Sequence, residues 1–186
     1  FHPQSGIIGP INISLTSNDV ALLKHGSFYV NISSTFAPAG EIRGNIFIAN
    51  GAFNASLSGD QEVPPSTSLA TGTGLVLLSF VPGLPPPRAW FASSLLTVDK
   101  LQGNLTAAFI HQAPSGTNGP VAFVLEGPHA PINFPTGTIA GLNEITPANV
   151  TTFFQGLYYI NIYTNVFPLG EMRGQLLRLL HAGTGL

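Results

Sequence analysis

Alternating apolar and polar residues run through most of this chain and predict short β-strands. In segments such as 11–15 and 53–57 every second residue is apolar, which is the period of a strand with one buried face. Gly, Pro and small polar residues separate these segments, as in turns. The predicted strands are 11–15, 27–33, 42–48, 52–58, 73–80, 89–97, 101–110, 120–125, 157–163 and 171–179. The pattern indicates an all-β fold, an antiparallel β-sandwich or Greek-key barrel.

Two short helical turns interrupt the strands, at 17–24 and 146–154. Each begins with a Ser or Thr cap, continues with apolar residues at i, i+3 and i+4, and ends near Gly26 or Gly156. We therefore expect β modules with helical turns between strands.

Composition excludes several classes of function. The chain has 186 residues, of which 44% are hydrophobic and only 8% charged, far below the roughly 25% of ordinary soluble domains. Its net charge is −2 and no basic patch is present, so we expect no nucleic-acid partner. The apolar runs are of strand length, so no membrane span is expected. Without cysteine there are no disulfides, thiol nucleophiles or cysteine metal ligands.

Asn-x-Ser/Thr sequons are more frequent than chance predicts. With 13 Asn and 29 Ser or Thr in the sequence, chance gives about two sequons, but there are five. They begin at Asn12, Asn31, Asn54, Asn104 and Asn149. At most of them strand alternation places the Asn on the solvent face. Strands rich in Ser, Thr and Asn also produce sequons by accident. N-linked glycans, however, explain how so uncharged a surface stays in water, and we expect them.

An internal repeat divides the chain. Residues 29–44, YVNISSTFAPAGEIRG, recur as residues 159–174, YINIYTNVFPLGEMRG. These matching residues are 130 positions apart, whereas matching residues further upstream are only about 110 positions apart. The second copy is therefore expected to carry an insertion of roughly 20 residues between Glu126 and Thr146. Residues 1–50 thus match only the second half of a unit that is complete in residues 51–180. Residues 181–186 form a C-terminal tail.

The repeated unit resembles the CHRD module of chordin. The resemblance rests on Phe53-x-Ala55-x-Leu57-x-Gly59-x-Gln61-Glu62-Val63-Pro64-Pro65, Ala108-x-Ile110-His111 and Gly170-Glu171-x-Arg173-Gly174-Gln175-Leu176. It implies an extracellular β-sandwich-like module with binding or structural roles. The family pattern has His at two further positions, where this chain has Phe109 and Tyr163.

Each copy of the repeat contains a glutamate followed two residues later by an arginine. These pairs are Glu41 with Arg43 and Glu171 with Arg173. At a spacing of i, i+2 in a strand, the two side chains point to the same face. Because the motif is duplicated in a chain with few charges, we expect a structural ion pair or a turn clamp, including the possibility of a buried Arg–carboxylate contact.

The sequence offers no convincing set of catalytic or metal-ligating residues. His111 with Glu171, or His2 with Glu41, supplies two ligands, whereas a closed metal site needs three or four. Asp60 and Glu62 precede two prolines, which indicates a turn or strand end rather than a catalytic pair. We therefore expect no metal, no cofactor other than glycans, and no enzyme.

The incomplete repeat suggests a function. Half a module leaves strand edges and an apolar face without partners, which a neighbouring molecule can cover. The sequence thus predicts a secreted, non-enzymatic structural subunit of an N-glycosylated fibril or matrix that self-associates into a homopolymer. The alternatives are an extracellular binding module for a secreted protein ligand and, third, a metal-dependent redox enzyme on a β-barrel.

Overall fold

The computed structural model describes residues 13–24, 27–46, 49–81, 90–127 and 133–179. The chain forms two compact units, Phe1–Ile48 and Ala49–Leu186. About half of the structure is strand and the fold is antiparallel, which confirms the predicted all-β class with two short helices.

The first unit contains one helix and one hairpin. Helix α1 spans Ser17–Lys24, and strands β1 (Tyr29–Ile32) and β2 (Ile42–Asn45) pair antiparallel. The helix begins after Thr16, whose hydroxyl accepts a hydrogen bond from the Asp19 backbone N–H at 3.2 Å while the Asp19 carboxylate accepts one from the Thr16 N–H at 2.9 Å. This reciprocal cap satisfies backbone donors that have no partner within the helix.

The second unit is a nearly closed antiparallel barrel. Its elements are β3 (Ala49–Ser58), a 3₁₀ turn (Gly59–Gln61), β4 (Thr71–Phe80), β5 (Trp90–Asp99), β6 (Leu105–Gln112), β7 (Val121–Glu126), β8 (Gly137–Ile145), α2 (Pro147–Phe154), β9 (Tyr158–Thr164), β10 (Met172–Gln175) and β11 (Leu177–Arg178). The strand order is β7-β6-β9-β10-β3-β4-β5-β8, with β11 added to β3. At the seam between the two end strands, the Asn143 side chain donates to the Val124 carbonyl at 3.2 Å.

The barrel interior is formed by alternate residues of its strands. In β3, Phe53, Ala55 and Leu57 are buried, whereas Asn54 and Ser56 between them are exposed. Helix α2 covers one end, where Phe153 packs against Tyr158 (ring centroids 4.4 Å apart) and against Phe53 (5.4 Å). Buried aromatic rings contribute large apolar areas, so this cluster stabilises the position of α2.

Several predicted boundaries differ from the structure. The segment predicted as a strand at 11–15 is not one over residues 13–15, where Ile13 and Leu15 are exposed just before α1; residues 11 and 12 lie outside the described ranges. The segment at 171–179 is broken into β10 and β11. Strand β8 was not predicted, because glycines and polar residues within 137–145 weaken its alternation and it has no counterpart in the first copy.

Candidate functional site

Two hairpins 130 residues apart have the same backbone geometry. In both, the Glu N–H that follows the turn donates to an Ile carbonyl at 2.7 Å, and a Gly with φ near +130° precedes that Glu. Only Gly adopts such a backbone conformation without strain, so its presence at Gly40 and Gly170 fixes the turn. The equivalent cross-strand pairs are Tyr29–Asn45 and Asn31–Arg43 in β1–β2, and Tyr159–Gln175 and Asn161–Arg173 in β9–β10.

Glu171 joins the second hairpin to the first half of the module. Its fully buried carboxylate accepts hydrogen bonds from the Ser68 hydroxyl (2.8 Å), the Gln102 backbone N–H (2.6 Å) and the Thr164 hydroxyl (2.6 Å). Its backbone carbonyl accepts another from the Ser66 hydroxyl at 2.7 Å. Hydrogen bonds to a carboxylate are stronger than neutral ones, so this side chain clamps three segments together.

Glu171 and Arg173 do not form the ion pair that was one of the two expectations. Across the described residues, no salt bridge joins them, because the Glu171 carboxylate is taken by neutral donors. The Arg173 guanidinium instead lies over the Tyr159 ring, 3.4 Å from its centroid, and donates to the Asn118 side chain at 3.2 Å. In the first hairpin Arg43 lies over Tyr29 in the same way, at 3.7 Å.

Glu62 is a buried carboxyl group beside Arg173. One of its oxygens accepts a long hydrogen bond from Asn161 (3.4 Å). Among the described residues, the other oxygen has no hydrogen-bond partner, and neither has one guanidinium nitrogen of Arg173. Burial raises the pKa of Glu62 to about 7, although the positive charge of Arg173 and the Asn161 hydrogen bond act in the opposite direction. Glu62 also lines an open cavity of about 460 Å³, whose rim includes Val166 and Leu169.

His111 belongs to the same polar cluster. Its Nδ1 is 2.9 Å from the Gly119 carbonyl, which only accepts, so Nδ1 carries the proton and Nε2 accepts from the Tyr163 hydroxyl at 2.9 Å. Burial lowers the pKa of His111, the Gly119 carbonyl opposes that shift, and Arg173 adds to it. Burial likewise raises the pKa of Tyr163 to about 12. Because its pKa is lowered, the His111 imidazole is neutral at neutral pH.

The structure does not assemble a metal-ligand set from these groups. Among the described residues, no three His, Asp or Glu side chains are grouped as ligands. His111 and Glu171 each have the hydrogen-bond partners given above rather than each other. His2 lies outside the described ranges, and Glu41 is exposed. Asp60 is exposed in the 3₁₀ turn while Glu62 is buried, so the two carboxylates do not face a common cleft.

The sequon residues lie in different environments. Asn31 and Asn54 are exposed on strands β1 and β3, Asn104 is half-buried just before β6, and Asn12 lies outside the described residues. Asn149 is also half-buried, and its side chain is occupied: the amide oxygen accepts from Thr146 at 2.7 Å and the nitrogen donates to the Tyr158 hydroxyl at 3.0 Å. Asn149 is consequently the least favourable of the four described acceptors.

The fold and this cluster define an antiparallel β-barrel module with a duplicated hairpin. The CHRD domain model matches residues 4–46 and 53–176, and the chain belongs to the CHRD domain family. Domains of this family are extracellular-type, non-catalytic modules of the binding kind. A search of curated proteins and a search of solved structures found no match. The two helices of the described ranges, eight residues each, are too short to cross a bilayer.

Sequence reasoning did not identify Glu62, Asn118 and Asn161 as parts of the cluster. Glu62 lies in the Gln-Glu-Val-Pro-Pro segment that carries the family resemblance, and this was the available signal. Asn161 recurs in the repeat at the position of Asn31, whereas Asn118 had no signal, and the contacts of both depend on the 59–65 segment and the 113–120 loop folding over β9 and β10. Asn118 holds these parts together by donating to the Val63 carbonyl at 2.7 Å.

Proposed function

We propose that the protein is a non-enzymatic structural subunit of an extracellular, N-glycosylated fibril or matrix. Neighbouring protomers would contact each other through β-strands and form a homopolymer. The observation that supports this proposal is the exposed apolar face of hairpin β1–β2, which has the backbone geometry of β9–β10 but pairs with no other strand among the described residues. N-linked glycans, rather than a cofactor or metal, complete the proposed assembly.

The first hairpin has an apolar face that its counterpart buries. Ile160, Ile162 and Met172 are each 0% exposed, and they pack in the barrel core. The equivalent residues in the first hairpin are Val30, Ile32 and Ile42, which are 52%, 38% and 63% exposed. Burying such side chains contributes about 1.5–3 kcal/mol each when complete, so covering this face favours association.

The strand edges of the two hairpins also differ. Strand β9 pairs with β6 and β10 pairs with β3, whereas β1 and β2 pair only with each other within the described residues. A two-stranded hairpin alone is marginally stable in water, and its unpaired N–H and C=O groups are a template for another strand. A contact that repeats head to tail without closing produces a filament.

The contact is expected at the strand edges or the apolar face of β1–β2. These are the parts of the hairpin that lack a partner among the described residues.

Electron microscopy and light scattering of the purified chain test the proposal over a range of concentrations. We expect filaments from the parent chain and none from Ile42→Asp, which places a charge on the open face. The matched control is Leu69→Asp, at a residue that is 78% exposed in a loop of the second unit. Material that stays monomeric at high concentration would contradict the proposal, as would filaments formed equally well by both variants.

The second candidate is a binding module for a secreted protein ligand. The cavity beside Glu62 favours it, because an apolar rim next to a buried, incompletely satisfied carboxyl group is typical of recognition sites. Leu169 on this rim is 87% exposed. This candidate predicts a monomer at every concentration, so the same measurements separate it from the fibril subunit.

A further inference from the structure

Asn31 and Asn161 occupy the same position in the two hairpins, but only one of them lies in a sequon. Each is paired across the hairpin with an arginine, Arg43 or Arg173. The residue two places further on is Ser33 in the first hairpin and Tyr163 in the second. The acceptor motif is thus present in the open copy and absent from the covered one.

Asn161 has no room for a glycan. It is 3% exposed, and its amide nitrogen donates to Glu62 at 3.4 Å and to the Tyr163 hydroxyl at 3.1 Å. The segment that carries Glu62 lies over this face of the hairpin. A substituent on the Asn161 nitrogen would have to displace that segment.

Asn31 is exposed on the same face of the first hairpin, where Glu62 has no equivalent among the described residues. A Cβ atom built on Gly170 would lie 2.6 Å from the Glu62 carboxylate, whereas one built on Gly40 would lie 2.5 Å from the Asn31 amide oxygen. The Asn31 side chain thus rests over the turn glycine, at the place where Glu62 rests in the complete module. Its nitrogen donates a 3.3 Å hydrogen bond to the Ala39 carbonyl.

We propose that Asn31 carries an N-linked glycan that replaces, on the first hairpin, the protein cover found on the second. The face bearing Tyr29, Asn31 and Arg43 then points to solvent. Protein contacts of this hairpin are restricted to its strand edges and to the opposite face, which bears Val30, Ile32 and Ile42. The proposal rests on the N-glycosylation that is part of the proposed function, but it does not require that the chain polymerises.

The modification is a transfer of an oligosaccharide from a lipid diphosphate donor. A bond forms between the Asn31 side-chain nitrogen and the anomeric carbon, and the bond from that carbon to the diphosphate oxygen breaks. The nitrogen loses one proton to solvent, and the lipid diphosphate leaves. A glycan attached this way must remain outside the folded protein because it is bulky and hydrated, so a covered Asn is incompatible with it.

Exchanging the residues that distinguish the two hairpins tests this assignment. Full-length chains are secreted from a eukaryotic host, and glycopeptide mass spectrometry measures occupancy at each sequon. We expect Asn31 to be occupied in the parent chain. Ser33→Tyr should remain secreted and lose the mass of one glycan.

The reciprocal variant Tyr163→Ser creates a sequon at Asn161. We expect its secretion to fall at least tenfold below that of Tyr163→Ala, which removes the same ring without creating a sequon. In a bacterial host without N-glycosylation, the two variants should yield similar amounts of folded protein. Comparing them separates the effect of the glycan from the loss of the Tyr163 hydrogen bonds.

Three results would overturn the inference. The first is an unmodified Asn31 in secreted chains whose Asn54 is occupied. The second is efficient secretion of Tyr163→Ser with a glycan on Asn161. The third is equal secretion of Tyr163→Ser and Tyr163→Ala from the eukaryotic host. None of these depends on filaments, so failure of the assembly proposal would be recognised separately.

Discussion

The carboxylate of Glu171 accepts a hydrogen bond from the hydroxyl of Ser68, 103 residues earlier in the chain, at 2.8 Å. This contact connects the segment before β4 to the last hairpin of the barrel. The equivalent carboxylate in the first hairpin, Glu41, is exposed. The same motif is therefore a structural clamp in one copy and an open group in the other.

Glu171→Gln is expected to destabilise the second unit. The amide would present an N–H₂ group to donors such as Ser68 and the Gln102 backbone, leaving at least one of them unsatisfied. We expect the free energy of unfolding to fall by about 2–4 kcal/mol. Urea denaturation followed by the fluorescence of Trp90, the single tryptophan, measures this change.

Two exposed carboxylates provide matched controls for that variant. Asp60→Asn lies in the same unit, and Glu41→Gln repeats the substitution in the open hairpin. Both are expected to change stability by less than about 0.5 kcal/mol. An effect of Glu171→Gln as small as theirs would show that the buried carboxylate is not a clamp.

Gly174→Ala and Gly44→Ala form a second matched pair. A Cβ at Gly174 would lie 2.5 Å from the Ser56 carbonyl oxygen, because β10 packs closely against β3, whereas a Cβ at Gly44 meets nothing within 4 Å. We expect Gly174→Ala to lower the melting temperature, with a cost of about 1–3 kcal/mol, and Gly44→Ala to be neutral. Scanning calorimetry measures the melting temperature of each variant. If Gly174→Ala and Gly44→Ala lowered it equally, the difference in packing at the two glycines would be contradicted.

Glu62→Gln should change how stability depends on pH. Glu62 has a pKa of about 7 in the folded protein against an ordinary value of 4.5, so the folded state holds more protons between these pH values. Its contribution to stability is therefore full below pH 4.5 and is lost as the pH rises to about 7. We expect the variant to lack this loss and to be about 1–2 kcal/mol more stable than the parent at pH 8.

The measurement for Glu62→Gln is a series of urea denaturations from pH 4 to pH 8. His111 titrates in the opposite sense, because burial lowers its pKa, and the difference between variant and parent isolates Glu62. If the variant were less stable than the parent at pH 8, attraction to Arg173 would outweigh burial and the assigned cause would be wrong.

Asn149→Ala is expected to destabilise the start of helix α2. The Asn149 side chain completes the cap with Thr146 and holds the Tyr158 hydroxyl, so its loss should cost about 1–2 kcal/mol. Asn54→Ala, at an exposed sequon on β3, is the control and should leave the thermal transition of the non-glycosylated chain unchanged. Equal melting temperatures for the two variants would argue against the capping role.

The residue pattern determined most of the strands, both helical turns and the duplicated hairpin. Strand alternation has a period of two regardless of context, and Thr16 and Thr146 provide helix caps within a few residues of their partners. These are local effects, so they can be read from the sequence. Strand β8 was missed because its glycines and polar residues weaken the local alternation. Its place in the barrel is set by pairing with β5, at residues 39 to 55 positions earlier in the chain.

Tertiary structure alone decided what the duplicated groups do. Glu41 and Glu171 are indistinguishable in the repeat, yet one is exposed and the other accepts from Ser68, Gln102 and Thr164. Whether a carboxylate is a surface charge or a clamp depends on which distant segment supplies donors and excludes water, and no local pattern encodes that. The sequence determined that the hairpin is duplicated, and the fold shows that Val30, Ile32 and Ile42 are exposed where Ile160, Ile162 and Met172 are buried.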